Sequence, residues 1–354
     1  MSDRRRFISG ALSLGAAAAV PGWARAFVHP LDQPALQSRR AAESPLLGVS
    51  RAGTRFVAVG QRGQIVYSDD LGQRWVQARV PVSSDLVALS FPTDKAGWAV
   101  GHGGVVLHSA DGGTSWVKQF DGRQASKIAL DYYGKLDTSD PQVAKLIDEE
   151  RFLAESGGLQ PFLDVHFETD RTGFVVGTFN RVFRTDDGGA NWQPWMHRTD
   201  NPDGLHFNAT AGHGEAIYLA GEQGTVWRLD KGEERFSPFS TDYDGTLFGL
   251  LSISGGRLLA FGMRGSAFLS EDAGNHWQRV QLSSQAGITG GVVMEDGAVV
   301  VVNQAGGLEV SRDQGRSFSP LRAARPMSYF GVAAGPDGRL ILAGAEGMRT
   351  ERVR

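Results

Sequence analysis

The feature that most narrows what this chain can fold into is a repeat. Ser109-x-Asp111-x-Gly113-x-x-Trp116 recurs as Ser68/Asp70/Gly72/Trp75, Thr185/Asp187/Gly189/Trp192 and Ser270/Asp272/Gly274/Trp277. A near copy is Ser311/Asp313/Gly315/Phe318, and a degraded one is Asp230/Gly232, followed one residue late by Phe236. The aromatic positions 75, 116, 192, 236, 277 and 318 are separated by 41, 76, 44, 41 and 41 residues, so the long interval is one period plus an insertion of 35. A fixed period of this size marks an array of units, each too small to bury its own apolar face alone.

Each copy follows the same pattern of strand, Gly-rich turn and second strand, as in "GWAVGHGGVVLHSAD" and "LLAFGMRGSAFLSED". Another strand lies upstream in each period ("LVALSF", "LDVHFET", "GLLSIS") and a fourth follows the box ("WVQARV"). Four short strands per period of about 41 residues is the pattern of a β-propeller blade. A seventh unit begins at Tyr329 and runs through "RLILAGAEG" to "MRTERVR", with no room for a fourth strand. The expectation is an all-β, seven-bladed β-propeller of four-stranded blades forming one domain over 27–354, with six and eight as alternative counts. Residues between Phe27 and Pro45 are expected to supply the missing strand of the last blade.

The boxes read as corners between the third and fourth strands of a blade. Their Ser and Asp side chains hydrogen-bond within the turn, Gly allows positive φ, and the aromatic residue packs back. A catalytic group is needed once, not six times. Ser68, Asp70, Trp75, Ser109, Asp111, Trp116, Asp187, Trp192, Asp272, Trp277, Asp313 and Phe318 are therefore structural, and no residue is assigned as catalytic. The opposite face carries the variable turn residues Arg62, His102, Asn180-Arg181, Glu222-Gln223, Arg264, Gln304 and Glu346. Loops on a rigid frame carry function, so Arg62, His102, Arg181, Glu222, Arg264, Gln304 and Glu346 are the candidate partner-binding residues. The insertion, about 121–161, falls on the same face. Asp140-Pro141 opens a helix in it, with Val143, Leu146, Ile147, Phe152 and Leu153 on one side and Gly157-Gly158 as its stop. That helix is a lid, a docking element or a rim decoration.

Residues 1–26 read as an export segment. Arg4-Arg5-Arg6-Phe7-Ile8 has the form of a twin-arginine motif, an apolar stretch follows, and Ala24-Arg25-Ala26 offers a cleavage site before Phe27. The segment carries four Arg and one Asp, so its removal takes the formal net charge from −3 to −6. A mildly acidic chain with no basic motif gives no footing for nucleic acid. Cysteine is absent, which excludes disulfides, thiolate metal sites and Cys nucleophiles. The eight histidines are scattered without metal-ligand spacing; His206 and His213 flank one inner strand and read as core or rim residues. No metal and no cofactor are expected.

The boxes also invite a sialidase reading. Those enzymes carry an Arg-Ile-Pro motif, which is missing here. Glycosidases of other kinds need two facing carboxylates, so a glycan-binding or glycan-cleaving propeller stays as the alternative.

The combined pattern, with Gly101-His102-Gly103-Gly104 leading to Ser109–Trp116 after an export segment, resembles the photosystem II stability/assembly factor family over about residues 46–354. The resemblance implies a seven-bladed propeller in an exported space, periplasmic or thylakoid-lumenal. It also implies a non-enzymatic scaffold that binds a membrane-protein complex or its intermediate through a basic patch. Arg62, Arg181 and Arg264 match such a patch, while Glu222 and Glu346 depart from it.

Overall fold

The computed structural model describes residues 27–213 and 216–353, and the expected export segment 1–26 lies outside them. Seven antiparallel sheets follow one another along the chain, each a meander in sequence order. They cover residues 46–77, 86–120, 162–194, 207–240, 247–280, 288–321 and 329–352, here blades 1 to 7. The first strand of each blade lies against the first strand of the next, and Tyr329–Ala334 of blade 7 lies against Leu46–Ala52 of blade 1, closing the ring. The seven-bladed propeller expected from the repeat is the observed fold.

The second strands, such as Gly97–Gly101 and Arg339–Gly344, are buried almost throughout. Their sheets have a neighbouring blade on each side, which is why they read as unbroken apolar runs rather than alternating ones. The core is accordingly divided among the blade interfaces. One such cluster joins Val57, Val59 and Ile65 of blade 1 to Ala99, Val105, Leu107 and Trp116 of blade 2.

Each full box is a closed set of hydrogen bonds. Asp111 accepts from the Ser109 hydroxyl at 2.9 Å and from the Ser115 backbone N–H at 2.9 Å. The Ser109 hydroxyl oxygen accepts from Gly113 N–H at 2.8 Å, and Trp116 Nε1 donates to the Gly113 carbonyl at 3.1 Å. The same bonds from Ser or Thr to Asp and from Gly to Ser or Thr recur at Ser68/Asp70, Thr185/Asp187, Ser270/Asp272 and Ser311/Asp313. In blade 4 the degraded copy gives a tight hairpin instead: Asp230 pairs with Arg235, and Phe236 is a buried strand residue.

Two expectations are corrected. Blade 7 has three strands, and residues 27–45 do not add a fourth to it. They run beside blade 1, where Ala35 N–H donates to the Val80 carbonyl at 3.1 Å and Gln77 Nε2 donates to the Leu36 carbonyl at 2.9 Å. They then seat Ala41 against Ala343 and Met348 at the junction of blades 7 and 1. Pro30, Pro34 and Pro45 break up the donors that a ladder would need.

The insertion is a pair of helices, α1 (Gly122–Tyr133) and α2 (Pro141–Glu155). The start of α2 at Asp140-Pro141 is as expected, but Phe152 is 68% exposed and is not on the buried side. At 100° per residue Val143, Leu146, Ile147 and Glu150 share one face, and Phe152 falls opposite them. α1 was not anticipated, although Asp121 and Gln124 form the capping box that opens it.

If the boxes are corners, Asp111→Ala removes three hydrogen bonds and leaves the buried Ser109 hydroxyl short of a partner. The expected cost is about 1–2 kcal/mol, seen as a thermal midpoint lowered by a few degrees. An unchanged midpoint would contradict the structural role.

Candidate functional site

The face opposite the boxes is built from the turns between second and third strands and from the links between blades. In five blades the two central turn residues both have positive φ: Arg62-Gly63, Gly103-Gly104, Phe179-Asn180, Gln223-Gly224 and Arg264-Gly265. That is the turn whose twist suits a two-residue hairpin, and it explains the Gly-rich pattern. At Gly63 there is a second reason, because a Cβ there would lie 2.0 Å from the Val82 carbonyl oxygen.

The candidate residues stand one per blade around the disc, and none bonds to another. Arg62 and Arg264 are exposed at the tips of their turns, and Arg62 N–H donates to Asp85 at 2.7 Å. His102 is exposed, with its carbonyl accepting from the Ser84 hydroxyl at 2.7 Å. Gln304 is exposed and its carbonyl accepts from the Ser328 hydroxyl. Glu346 pairs with Arg349 at 3.1 Å. Glu222 accepts from the His206 backbone N–H at 2.9 Å, so it caps the link as well as facing outward.

Arg181 is the exception and a correction. It is 1% exposed, paired with Glu150 of α2 at 3.0 Å, within 3.4 Å of the Ser126 hydroxyl of α1, and lies over the Phe183 ring. It fastens the helical pair to blade 3 and offers nothing to a partner. Burial drives the Glu150 carboxyl pKa up while Arg181 pulls it down. Tyr133, pushed well above its usual range by burial, anchors the other helix beside Met196 and His197.

Pinned in this way, α2 forms one wall of a groove of about 1070 Å³, whose other wall is the loop 199–204. The floor is fixed by Asn180. Its Oδ1 accepts from the Thr199 hydroxyl at 2.7 Å and from Asn201 Nδ2 at 3.0 Å, and its Nδ2 donates to the Met196 carbonyl at 3.3 Å. Phe152, Leu153, Phe179 and Pro202 supply apolar surface. The sequence reading missed this groove, because its two phenylalanines belong to no repeated motif.

The central channel is a narrower space of about 250 Å³ lined by inner strands. Asp164 lies in its wall and accepts from Thr210 N–H at 2.7 Å and Val165 N–H at 2.9 Å. Loss of water around it pushes its pKa up to about 7. Among the described residues no group of His, Asp and Glu is arranged to hold a metal.

Two predictions follow from these buried groups. Arg181→Met leaves Glu150 buried without its counter-charge, at an expected cost of about 3–5 kcal/mol, whereas the double variant with Glu150→Leu returns near wild-type stability. Thermal unfolding, with proteolysis of 121–161 as a local readout, checks this; an Arg181→Met protein as stable and as resistant as wild type would sink it. For Asp164, the folded chain keeps its proton to higher pH than the unfolded chain does, so this group's contribution to stability falls as pH climbs from about 4 to about 7. The stability gained by Asp164→Asn over wild type is expected to grow through that window and then level off. A gain independent of pH, measured by urea unfolding, would contradict it.

Residues 158–321 match the family model described as photosynthesis system II assembly factor YCF48. Among solved structures, one described as YCF48 bound to D1 peptide is 17% identical, with a TM-score of 0.63, covering 92% of this chain and 99% of that one. YCF48 from Cyanidioschyzon merolae is 15% identical, with a TM-score of 0.61 and coverage of 88% and 96%. The WD40 β-propeller domain of Doa1 is 10% identical, with a TM-score of 0.62 and coverage of 91% and 96%. At these identities the solved structures share the fold. No curated protein matches the chain in sequence. The resemblance read from the repeats therefore holds: the chain is a seven-bladed propeller similar, over residues 158–321, to the photosystem II assembly factor family.

Proposed function

We propose that the protein is a non-enzymatic, exported assembly factor that holds a segment of a membrane-protein client on the face opposite its Asp-box corners. The observation that carries this reading is the open groove beside α2, on the turn-and-link face, with exposed aromatic side chains at its surface. The family match supports the same class, and one solved propeller of similar fold is described as bound to a D1 peptide. Among the described residues no helix is long and apolar enough to cross a membrane, so in this reading the membrane-embedded part is the client's. The glycan-active alternative finds no support. Export through the twin-arginine segment at 1–26, and a location in the periplasm or thylakoid lumen, belong to the same proposal.

The test is photocrosslinking in the native host, with the crosslinker placed in turn at Arg62, Arg264 and Phe179 and, as a control on the box face, at Arg74. The expected result is a chain beginning at Phe27 in the exported fraction. Adducts from the first three positions should be identified by mass spectrometry as an integral membrane protein, with none from Arg74. Adducts equal on both faces, or adducts with soluble proteins alone, would overturn the reading.

A further inference from the structure

Resting on that reading, we propose that the groove between α2 and the loop 199–204 takes an apolar client segment that carries a lysine or arginine. Phe179 is the first observation. It sits at the tip of its turn with φ 55°, where the equivalent residues of other blades are Arg62, Gly103, Gln223 and Arg264. The hairpin turn requires that φ, as it does of Arg62, Gln223 and Arg264, so what sets this blade apart is an apolar ring at the tip. The ring is not packed away: it is 61% exposed and touches His206 edge-on, with centroids 4.6 Å apart. A ligand laid across the groove would cover it.

Phe152 is the second observation. It projects from the side of α2 away from the helix's buried face, lines the same groove and is as exposed as Phe179. Two open phenyl rings across a preformed floor are an anchor for large apolar side chains. The floor itself is saturated by the Asn180 and Asn201 bonds and gains little from further polar contact. The volume stands at the upper end of the roughly 300–1,000 Å³ range of small-molecule sites, which suits a peptide segment.

Charge selects the occupant. The lining carries Glu149, Asp200 and Asp203 against Lys145 as its exposed cation. Asp203 is exposed with no ion-pair partner among the described residues, Glu149 meets Lys145 only at 3.7 Å, and Asp200 is held by Arg235 at 2.6 Å. Arg181, the cation nearest in sequence to the floor, is sealed beneath α2 and neutralised by Glu150. A segment that brings its own Lys or Arg to this rim meets complementary charge, and an acidic segment is repelled.

The probe is a random dodecapeptide display library selected on the full protein. Enriched peptides would be synthesised and titrated by fluorescence anisotropy against wild type, Phe179→Asn, Phe152→Ser and the double variant Glu149→Lys/Asp203→Lys. Expected are peptides combining bulky apolar residues with Lys or Arg, bound about tenfold more weakly by the charge-reversed protein and by each phenylalanine variant. Their affinity should also fall with added salt. Asn suits the left-handed turn, so Phe179→Asn should lose binding with a thermal midpoint at or above that of wild type. Acidic peptides, no enrichment, or affinities unchanged in these variants would overturn the proposal. If it fails while membrane-protein adducts persist at Arg62 and Arg264, the assembly reading stands and only the groove falls; if the adducts are missing too, both fall.

Discussion

The structure depends on a close approach at the last glycine of each Asp box. These glycines have φ between 83° and 91°, which only the absence of a side chain makes easy, and each sits on the preceding blade. A Cβ on Gly113 would lie 3.0 Å from Val57 of blade 1, and one on Gly315 would lie 3.2 Å from Ile253 and Leu269 of blade 5. On Gly72 it would lie 3.0 Å from Thr350 and 3.1 Å from Ile341 of blade 7. The same contact that spaces blades 1 and 2, 2 and 3, 4 and 5, and 5 and 6 thus also spans the junction of the last blade with the first. No shared sheet holds that junction. It is held by the box corner, by the apolar packing of Phe56, Ala58 and Val66 against Ala333, Ile341 and Ala343, and by Gly48 facing Gly331 on the inner strands. The box therefore has two tasks: its hydrogen bonds fix the corner, and its glycine sets the distance between blades.

The helical pair is held differently. A buried ion pair is a poor source of net stability, because desolvation offsets most of the attraction, but it is demanding about position. Arg181 can meet Glu150 and Ser126 only if both helices sit in one place over blade 3. The apolar faces of α1 and α2, with Ala125, Ala129, Val143 and Ile147 buried between blades 2 and 3, supply the driving force that the pair does not. The consequence for function is geometric. The wall of the groove is fixed by the core beneath it, so the exposed side of α2 can carry Phe152 and Glu149 without a structural duty.

What was legible in the sequence was what repeats. The boxes, the Gly-rich turns and the strand runs recur often enough that one degraded copy does no harm, and the seven blades follow from their count. What was misread lay where the repeat breaks. Arg181 reads as a turn residue because the stretch Thr178-Phe179-Asn180-Arg181 lacks the glycine that marks the turn elsewhere. Asn180, with φ 60°, takes that glycine's place. Arg181 is then the first residue past the turn, aligned with Gln64, Val105, Thr225 and Ser266, and it points inward. Counting strands puts the N-terminal segment in the last blade, whereas its prolines argue against a ladder there. α1 was overlooked despite its capping box, because its weakly apolar face shows no run to catch the eye.

These breaks in the repeat also determine where a client can be told from any other surface. Five turns of nearly the same geometry stand on one ring, in which Arg62, Gln223 and Arg264 are small variations on one theme, spread over separate blades. Such a ring gives a diffuse field, not a pocket. Discrimination requires a concave place with its own chemistry, and a symmetric disc has none on its rim. The insertion supplies the concavity by raising a wall beside blade 3, and Phe179, where the equivalent turns have Arg, Gly or Gln, supplies an apolar tip inside it. Both departures meet in one groove, so the wall and the apolar tip border the same space.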